Sequence, residues 1–219
     1  MRILALDTAT GAPSIALDAD DGLPVRVVRL AVGRDDGLVP ALGATLAASG
    51  LGFADLDRLA VAVGPGRFTG LRAGLAAMRG LALATGLPLV GVTTLEAIAA
   101  AARAGAAETV VAVVDSLRAE AFVQAFRAGA ALGPAFACRP DALAERLAET
   151  GSLVLAGERL DEVAAALAAA GRAVRMAPGF DAGAVAALAS GRAPEDAPPA
   201  PFYLHPPATT KPRARVVAR

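Results

Sequence analysis

Arg58-Leu59-Ala60-Val61-Ala62-Val63 runs into Gly64-Pro65-Gly66-Arg67-Phe68-Thr69, and then into Gly70-Leu71-Arg72-Ala73-Gly74-Leu75-Ala76-Ala77-Met78. The first six residues form an apolar run of strand length, suited to a strand buried on both faces. Gly-Pro-Gly marks a loop. Thr69 is a candidate N-cap for a helix over residues 70–85, which Gly86 and Pro88 bring to an end. Residues 87–92 then read as another strand. Strand, loop, helix and strand in so short a span is the repeating unit of an α/β layer protein.

Outward from this unit, residues 2–7 read as a buried strand that ends at Asp7, and Thr8-Ala9-Thr10-Gly11-Ala12-Pro13 is turn material. Strands follow at 14–18 and 25–31. Helices are expected at 38–49, where Gly50 stops the chain, and at 94–104. The second half opens with a strand over 109–115, again ending at an acid, Asp115. Strands at 119–127 and 135–139, a helix at 141–150, a strand at 152–156, a helix at 161–170, a strand at 172–176 and a helix at 182–190 complete it. The order βββαβα appears in both halves without sequence similarity, which predicts an internal duplication with a boundary near residues 104–107. The expected organisation is a lobe over 1–106, a smaller lobe over 107–192 and a Pro-rich tail over 193–219.

Composition narrows the function. The chain has 219 residues, of which 55% are apolar and 19% charged, enough for a substantial core. Lys plus Arg and Asp plus Glu both number 21, so there is none of the basic excess expected of a protein that grips nucleic acid unaided. Cys138 and His205 are the single residues of their types, which excludes an intrachain disulfide framework and a multi-His/Cys zinc site. Lys211 is the only Lys, so no P-loop is present. The first residues lack the apolar run of a secretory signal, and no uninterrupted apolar span of membrane length occurs, so a cytoplasmic location is expected.

Two constellations stand out. Asp7, Thr8 and Thr10 flank a strand-end hairpin, and Asp115 ends the equivalent strand of the second half. Such hairpins can hold a phosphate and a magnesium ion, although Ala9 stands where close phosphate approach favours Gly. The competing reading, which the residue types alone favour, is that both acids anchor turns by side-chain hydrogen bonds. The second constellation is a seam of small residues on the helix over 70–85. Gly70 and Gly74 are four apart, as are Ala73 and Ala77, with Leu71, Leu75 and Met78 beside them. The seam invites close approach of another element, and spacing alone favours burial within the chain's own core over an interface.

The run Gly64-Pro65-Gly66-Arg67-Phe68-Thr69-Gly70-Leu71-Arg72 resembles the signature of the TsaB (YeaZ) family. The opening Ile3–Thr10, the stretch 89–96, the turn Asp115-Ser116-Leu117-Arg118-Ala119-Glu120-Ala121-Phe122 and the closing Pro201-Phe202-Tyr203-Leu204 are similar to further elements of that family. The resemblance implies two RNase-H-like lobes of the actin-like ATPase (ASKHA) superfamily, and a non-catalytic subunit without a cofactor. It implies pairing with TsaD, the subunit that transfers threonylcarbamoyl to N6 of adenosine 37 in ANN-decoding tRNAs. TsaE, a P-loop ATPase, would join them, tRNA would be met through the complex, and the chain would self-dimerise when alone. The family pairs through its first two helices, so the resemblance reverses the preference from spacing. It places Leu38, Leu42, Leu46, Gly70, Leu71, Ala73, Gly74, Leu75, Ala77 and Met78 at a partner interface, where Leu75→Asp should leave the chain folded but unpaired. Asp7, Thr8, Thr10 and Asp115 become a vestigial phosphate or metal site.

Two other functions are weighed against this one. An independent ATP-using enzyme of the same superfamily is disfavoured by Ala9 in the hairpin. A peptidase is disfavoured by the single His and by the absence of a Gly-x-Ser-x-Gly elbow. The tail is almost acid-free, with Lys211, Arg213, Arg215 and Arg219, and reads either as a solvated end or as a contact for tRNA phosphates or a partner.

Overall fold

The structure is a computed structural model and describes residues 1–31, 37–147, 151–177 and 179–205. Strands β1 (Ile3–Asp7), β2 (Ser14–Asp18) and β3 (Arg26–Arg29) form an antiparallel meander. Helix α1 (Leu38–Ala47), β4 (Arg58–Ala62), α2 (Phe68–Thr85), β5 (Leu89–Val92) and α3 (Thr94–Ala101) follow. Strand β4 joins β1 in parallel and β5 joins β4 in parallel, giving the order β3-β2-β1-β4-β5. Strands β1 and β4 lie at the centre of this sheet, and the near-absence of polar residues along them matches burial on both faces.

The second half repeats the plan. Its elements are β6 (Thr109–Asp115), β7 (Ala121–Arg127), β8 (Ala130–Ala131), β9 (Phe136–Cys138), α4 (Leu143–Arg146), β10 (Leu153–Gly157), α5 (Leu160–Ala169), β11 (Val174–Met176) and α6 (Ala182–Ser190). The order is β11-β10-β6-β7-β8, with β9 also paired to β7. The central pair β6–β7 is antiparallel and β6–β10–β11 is parallel, as in the first sheet. The α/β class and the duplication expected from the element order are both present. Helix α4 is shorter than the sequence suggests, and residues 148–150 of the expected helix lie outside the described residues.

Helices close the two sheets in an exchanged manner. Helices α1 and α2 cover the outer face of the first sheet. Its inner face is covered by α6, from the far end of the second half, which packs on β1, β2, β4 and β5. Helix α3, from the first half, packs instead on β6, β7 and β10, and α3 and α6 touch each other between the sheets. One continuous apolar cluster therefore runs from Ile3 and Leu59 through Ile98 and Val185 to Val114 and Phe122. A second, smaller cluster lies under α4 and α5. The stretches 1–106 and 107–192 are thus sheets with their neighbours, but each gives its last helix to the other.

Local signals fix the helix ends. At α3, Thr93 accepts from the Glu96 N–H at 3.2 Å while Glu96 accepts from the Thr93 N–H at 3.1 Å, a reciprocal cap. Helix α2 ends at Gly86, whose φ of 73° is the left-handed conformation of a terminating glycine. It begins at Phe68, with Arg67 as the cap residue, so Thr69 lies inside the first turn and is not the cap.

Candidate partner face and inter-lobe cleft

Helix α2 turns the Leu71, Gly74, Leu75 and Met78 part of its seam inward. Leu71, Gly74, Leu75, Met78 and Leu81 are buried, as are Leu42, Thr45 and Leu46 of α1. The tight approach is to the β1–β2 hairpin. A Cβ on Gly74 would lie 2.1 Å from the Thr8 hydroxyl oxygen, and one on Gly70 would lie 2.1 Å from the Thr8 carbonyl oxygen. The Thr8 hydroxyl donates to the Gly70 carbonyl at 2.7 Å, and the Arg67 N–H donates to the Ala9 carbonyl at 2.7 Å. The small residues exist because a helix backbone lies against a strand-end backbone. The placement of Leu42, Leu46, Leu71, Gly74, Leu75 and Met78 at a partner surface is therefore corrected: they belong to this chain's own core. Leu38, Gly70, Ala73 and Ala77 keep accessible surface, and Ala73 is fully on the outer face.

The outer face of the two helices has an uncommon composition. Its exposed positions include Val39 (43%), Ala44, Ala47, Ala73, Ala76, Gly80 and Leu83 (89%). Helix α1 contains no charged residue, and α2 contains only Arg72 and Arg79. Both arginines are turned to the C-terminal segment. The Arg72 Nε donates to the Tyr203 hydroxyl at 3.1 Å and its guanidinium lies 4.4 Å above the Phe68 ring; the Arg79 Nε donates to the Pro199 carbonyl at 3.0 Å. A helix pair apolar all round is ordinarily covered on every side.

The hairpin acids are occupied from within. Asp7 is fully buried; it accepts from the Ala9 N–H at 2.9 Å and from the Thr10 hydroxyl at 2.5 Å. Burial pushes its carboxyl up to about 6, with a further push from Glu158 and opposition from the Thr10 and Ala9 hydrogen bonds. Asp115 accepts from the Leu117 N–H at 2.9 Å and pairs with Arg159 at 3.8 Å. The turn-anchoring reading thus describes both acids.

A residue absent from the sequence reading joins the two turns. Glu158 accepts from the Gly11 N–H at 2.6 Å through one carboxylate oxygen and from the Asp115 N–H at 2.9 Å through the other. Gly11 belongs to the first hairpin and Asp115 to the second, so this carboxylate bridges the lobes. Backbone N–H groups of strand-end hairpins are the donors a phosphate would need, and here a carboxylate of the same chain uses one from each turn. Nothing local in the sequence marks Glu158, because its partners are 147 and 43 positions away. Among the described residues no group of three or more His, Cys, Asp or Glu side chains is placed to hold a metal ion.

Beside these turns the lobes enclose a cleft of about 240 Å³, lined among others by Arg67, Phe68, Arg118, Phe122, Tyr203 and His205. The segment 199–205 reaches it by pairing its Phe202 N–H with the Val63 carbonyl at 2.7 Å. It ends at His205, whose Nε2 lies 3.1 Å from Glu120 and whose ring meets Phe122 edge-on at 5.1 Å. His205 thereby ties the closing segment to the second lobe. The expected basic residues Lys211 to Arg219 lie outside the described residues. No helix among the described residues is long and apolar enough to cross a membrane.

Comparison with known proteins agrees with this architecture. The family model described as "TsaD: tRNA N6-adenosine threonylcarbamoyltransferase" matches residues 35–154, more than half of the chain. The tRNA threonylcarbamoyladenosine biosynthesis protein TsaB of Escherichia coli is 40% identical over 99 residues, which are 45% of this chain and 43% of that protein. The matched part thus spans less than half the length of that relative. Two solved structures from Pseudomonas aeruginosa superpose over most of the chain at 25% identity. One, described as similar to peptidase YEAZ, has a TM-score of 0.73 and covers 93% of this chain and 99% of that one. The other, YeaZ, has a TM-score of 0.68 and covers 86% and 90%. The Gly-Pro-Gly loop, the seam it feeds and the duplicated lobes fit together on one conclusion: the chain belongs to the TsaB/YeaZ family, kin of the tRNA N6-adenosine threonylcarbamoyltransferases.

Proposed function

We propose that this chain is a non-catalytic subunit in the formation of threonylcarbamoyladenosine at position 37 of ANN-decoding tRNAs. It pairs with the transferase subunit TsaD through the outer face of α1 and α2. The observation that carries this reading is the exposed surface of that helix pair from Val39 to Leu83, whose only charged side chains, Arg72 and Arg79, bond to the C-terminal segment. Apolar surface of this kind is stabilised by burial at roughly 25 cal/mol per Å², and a partner with a similar helical face supplies that burial. The use of hairpin N–H groups by Asp7 and Glu158 supports a role without phosphate chemistry in this subunit. Binding that favours one conformation of the transferase subunit is sufficient to activate it. TsaE and tRNA join through the complex, and a second copy of this chain takes the same face when TsaD is absent.

The test is a double substitution, Ala76→Asp with Leu83→Asp, on exposed positions. Two charges on this face must be desolvated on pairing, so co-elution with TsaD is expected to be lost while the melting temperature stays within a few degrees of wild type. Unchanged co-elution would move the interface elsewhere.

A further inference from the structure

The inter-lobe cleft combines features that the pairing surface does not use. Arg67 and Arg118 line it, and neither side chain has an ion-pair or hydrogen-bond partner among the described residues. The Arg67 Nε and the His205 Nδ1 are buried without a partner. Among the described residues no carboxylate lines the cleft. Acids on the adjoining turns are engaged elsewhere: Glu120 with His205, Asp115 with Arg159, and Glu158 with two backbone N–H groups. The Arg67 guanidinium is partly withdrawn from water and makes no ion pair among the described residues, a demand that an oxyanion meets with charge-assisted hydrogen bonds, while Arg118 is exposed beside it.

The opposite character of the walls defines the rest of the ligand. Phe68 and Tyr203 are in contact, their ring centroids 5.5 Å apart, and Phe122 faces the cleft from the second lobe. Phe68 and Tyr203 keep accessible ring surface within the same cleft as the two arginines, and the buried Phe122 adds an apolar edge from the second lobe. The wall that carries Arg118 is held in a fixed shape. Leu117 has φ of 59°, a left-handed conformation costly for a leucine, secured by the hydrogen bond from its N–H to Asp115. The Arg159 guanidinium also donates to the carbonyls of Arg118 and Glu120 at 3.1 and 3.0 Å. The cleft is thus a prearranged cavity rather than a gap between loose loops.

We propose that this cleft binds a small aromatic phosphate or carboxylate, with its anionic head on Arg67 and Arg118 and its ring against Phe68, Phe122 and Tyr203. The volume of about 240 Å³ suits one ring system with its head group. Because the ligand touches both lobes and the closing segment, its binding also stiffens the join between them. The proposal is independent of pairing with TsaD, since it concerns the opposite end of α2 from Leu83 and can be tested on the chain alone.

The full chain is titrated calorimetrically with phenyl phosphate, and in parallel with phenol and with inorganic phosphate. Saturable binding of phenyl phosphate is expected, with roughly tenfold weaker binding of either fragment. Arg118→Ala, at an exposed position that does not threaten folding, is expected to weaken phenyl phosphate roughly tenfold, as is Arg67→Ala. A non-saturating response would overturn the proposal. So would phenol binding as well as phenyl phosphate, or affinity unchanged in Arg118→Ala. Should Arg67→Ala fail to give a cooperative melt, the Arg118→Ala result alone decides.

Discussion

Asp7 shows how one side chain sets the chemistry of its turn. It is charged at neutral pH in a site that resists charge, because burial outweighs the two hydrogen bonds it accepts. Its folded-state value of about 6 lies above the ordinary 3.8. The sign follows: the stabilising contribution of the protonated form is complete below about 3.8 and is lost as pH rises through about 6. Asp7→Asn keeps the shape, with the amide oxygen accepting from Ala9 and the amide nitrogen donating to Thr10. Relative to wild type, this variant should be more stable at pH 8, by up to ~3 kcal/mol, and should lose that advantage by pH 4. Urea unfolding of both proteins across that range measures it; a difference independent of pH would contradict the assignment. Glu158→Ala acts at the same junction. It leaves the Gly11 and Asp115 N–H groups without their acceptor and should cost about 1–3 kcal/mol. A melt unchanged from wild type would mean that the carboxylate bridge contributes nothing.

At the scale of elements, helix α2 has two faces with opposite duties. The inward face is set by close approach, so Gly74→Ala must push α2 from the hairpin or displace Thr8 from its bond to Gly70, at about 1–3 kcal/mol. Leu75→Asp, expected from the family resemblance to leave a folded and unpaired chain, should instead abolish the cooperative melt, because Leu75 is buried against the chain's own sheet. A folded Leu75→Asp monomer would restore the earlier placement. The periodic apolar pattern made the strands, the helices and the duplication legible. It could not show which side of α2 faces home. Gly70 and Gly74 serve a nearby strand backbone as well as a nearby helix, and spacing is the same for both. The resemblance pointed to α1 and α2, whose accessible face is Val39, Ala73, Ala76 and Leu83, and these small or isolated side chains carry little pattern. The Glu158 bridge was illegible for a different reason, since its partners are far away in sequence.

The whole molecule is held together by exchange. Helix α6 covers the first sheet and α3 the second, so neither half completes its own core. A fragment ending at residue 106 would expose the apolar inner face of β1 and β4 and should not fold alone. The sequence could not reveal this, because an Ala-rich amphipathic helix such as 182–190 fits either sheet equally well. The exchange leaves the outer face of α1 and α2 as an exposed apolar surface of the first lobe, which reaches the cleft only at the first residue of α2, Phe68. The reading of this protein as an activating subunit depends on that surface being used. Its most direct test is tRNA threonylcarbamoylation by TsaD, reconstituted with wild-type chain, with the Ala76→Asp/Leu83→Asp variant, or with neither. Wild-type chain should raise product formation roughly tenfold or more over TsaD alone, and the equally stable variant should not; product formed as fast with the variant as with wild type would contradict the account.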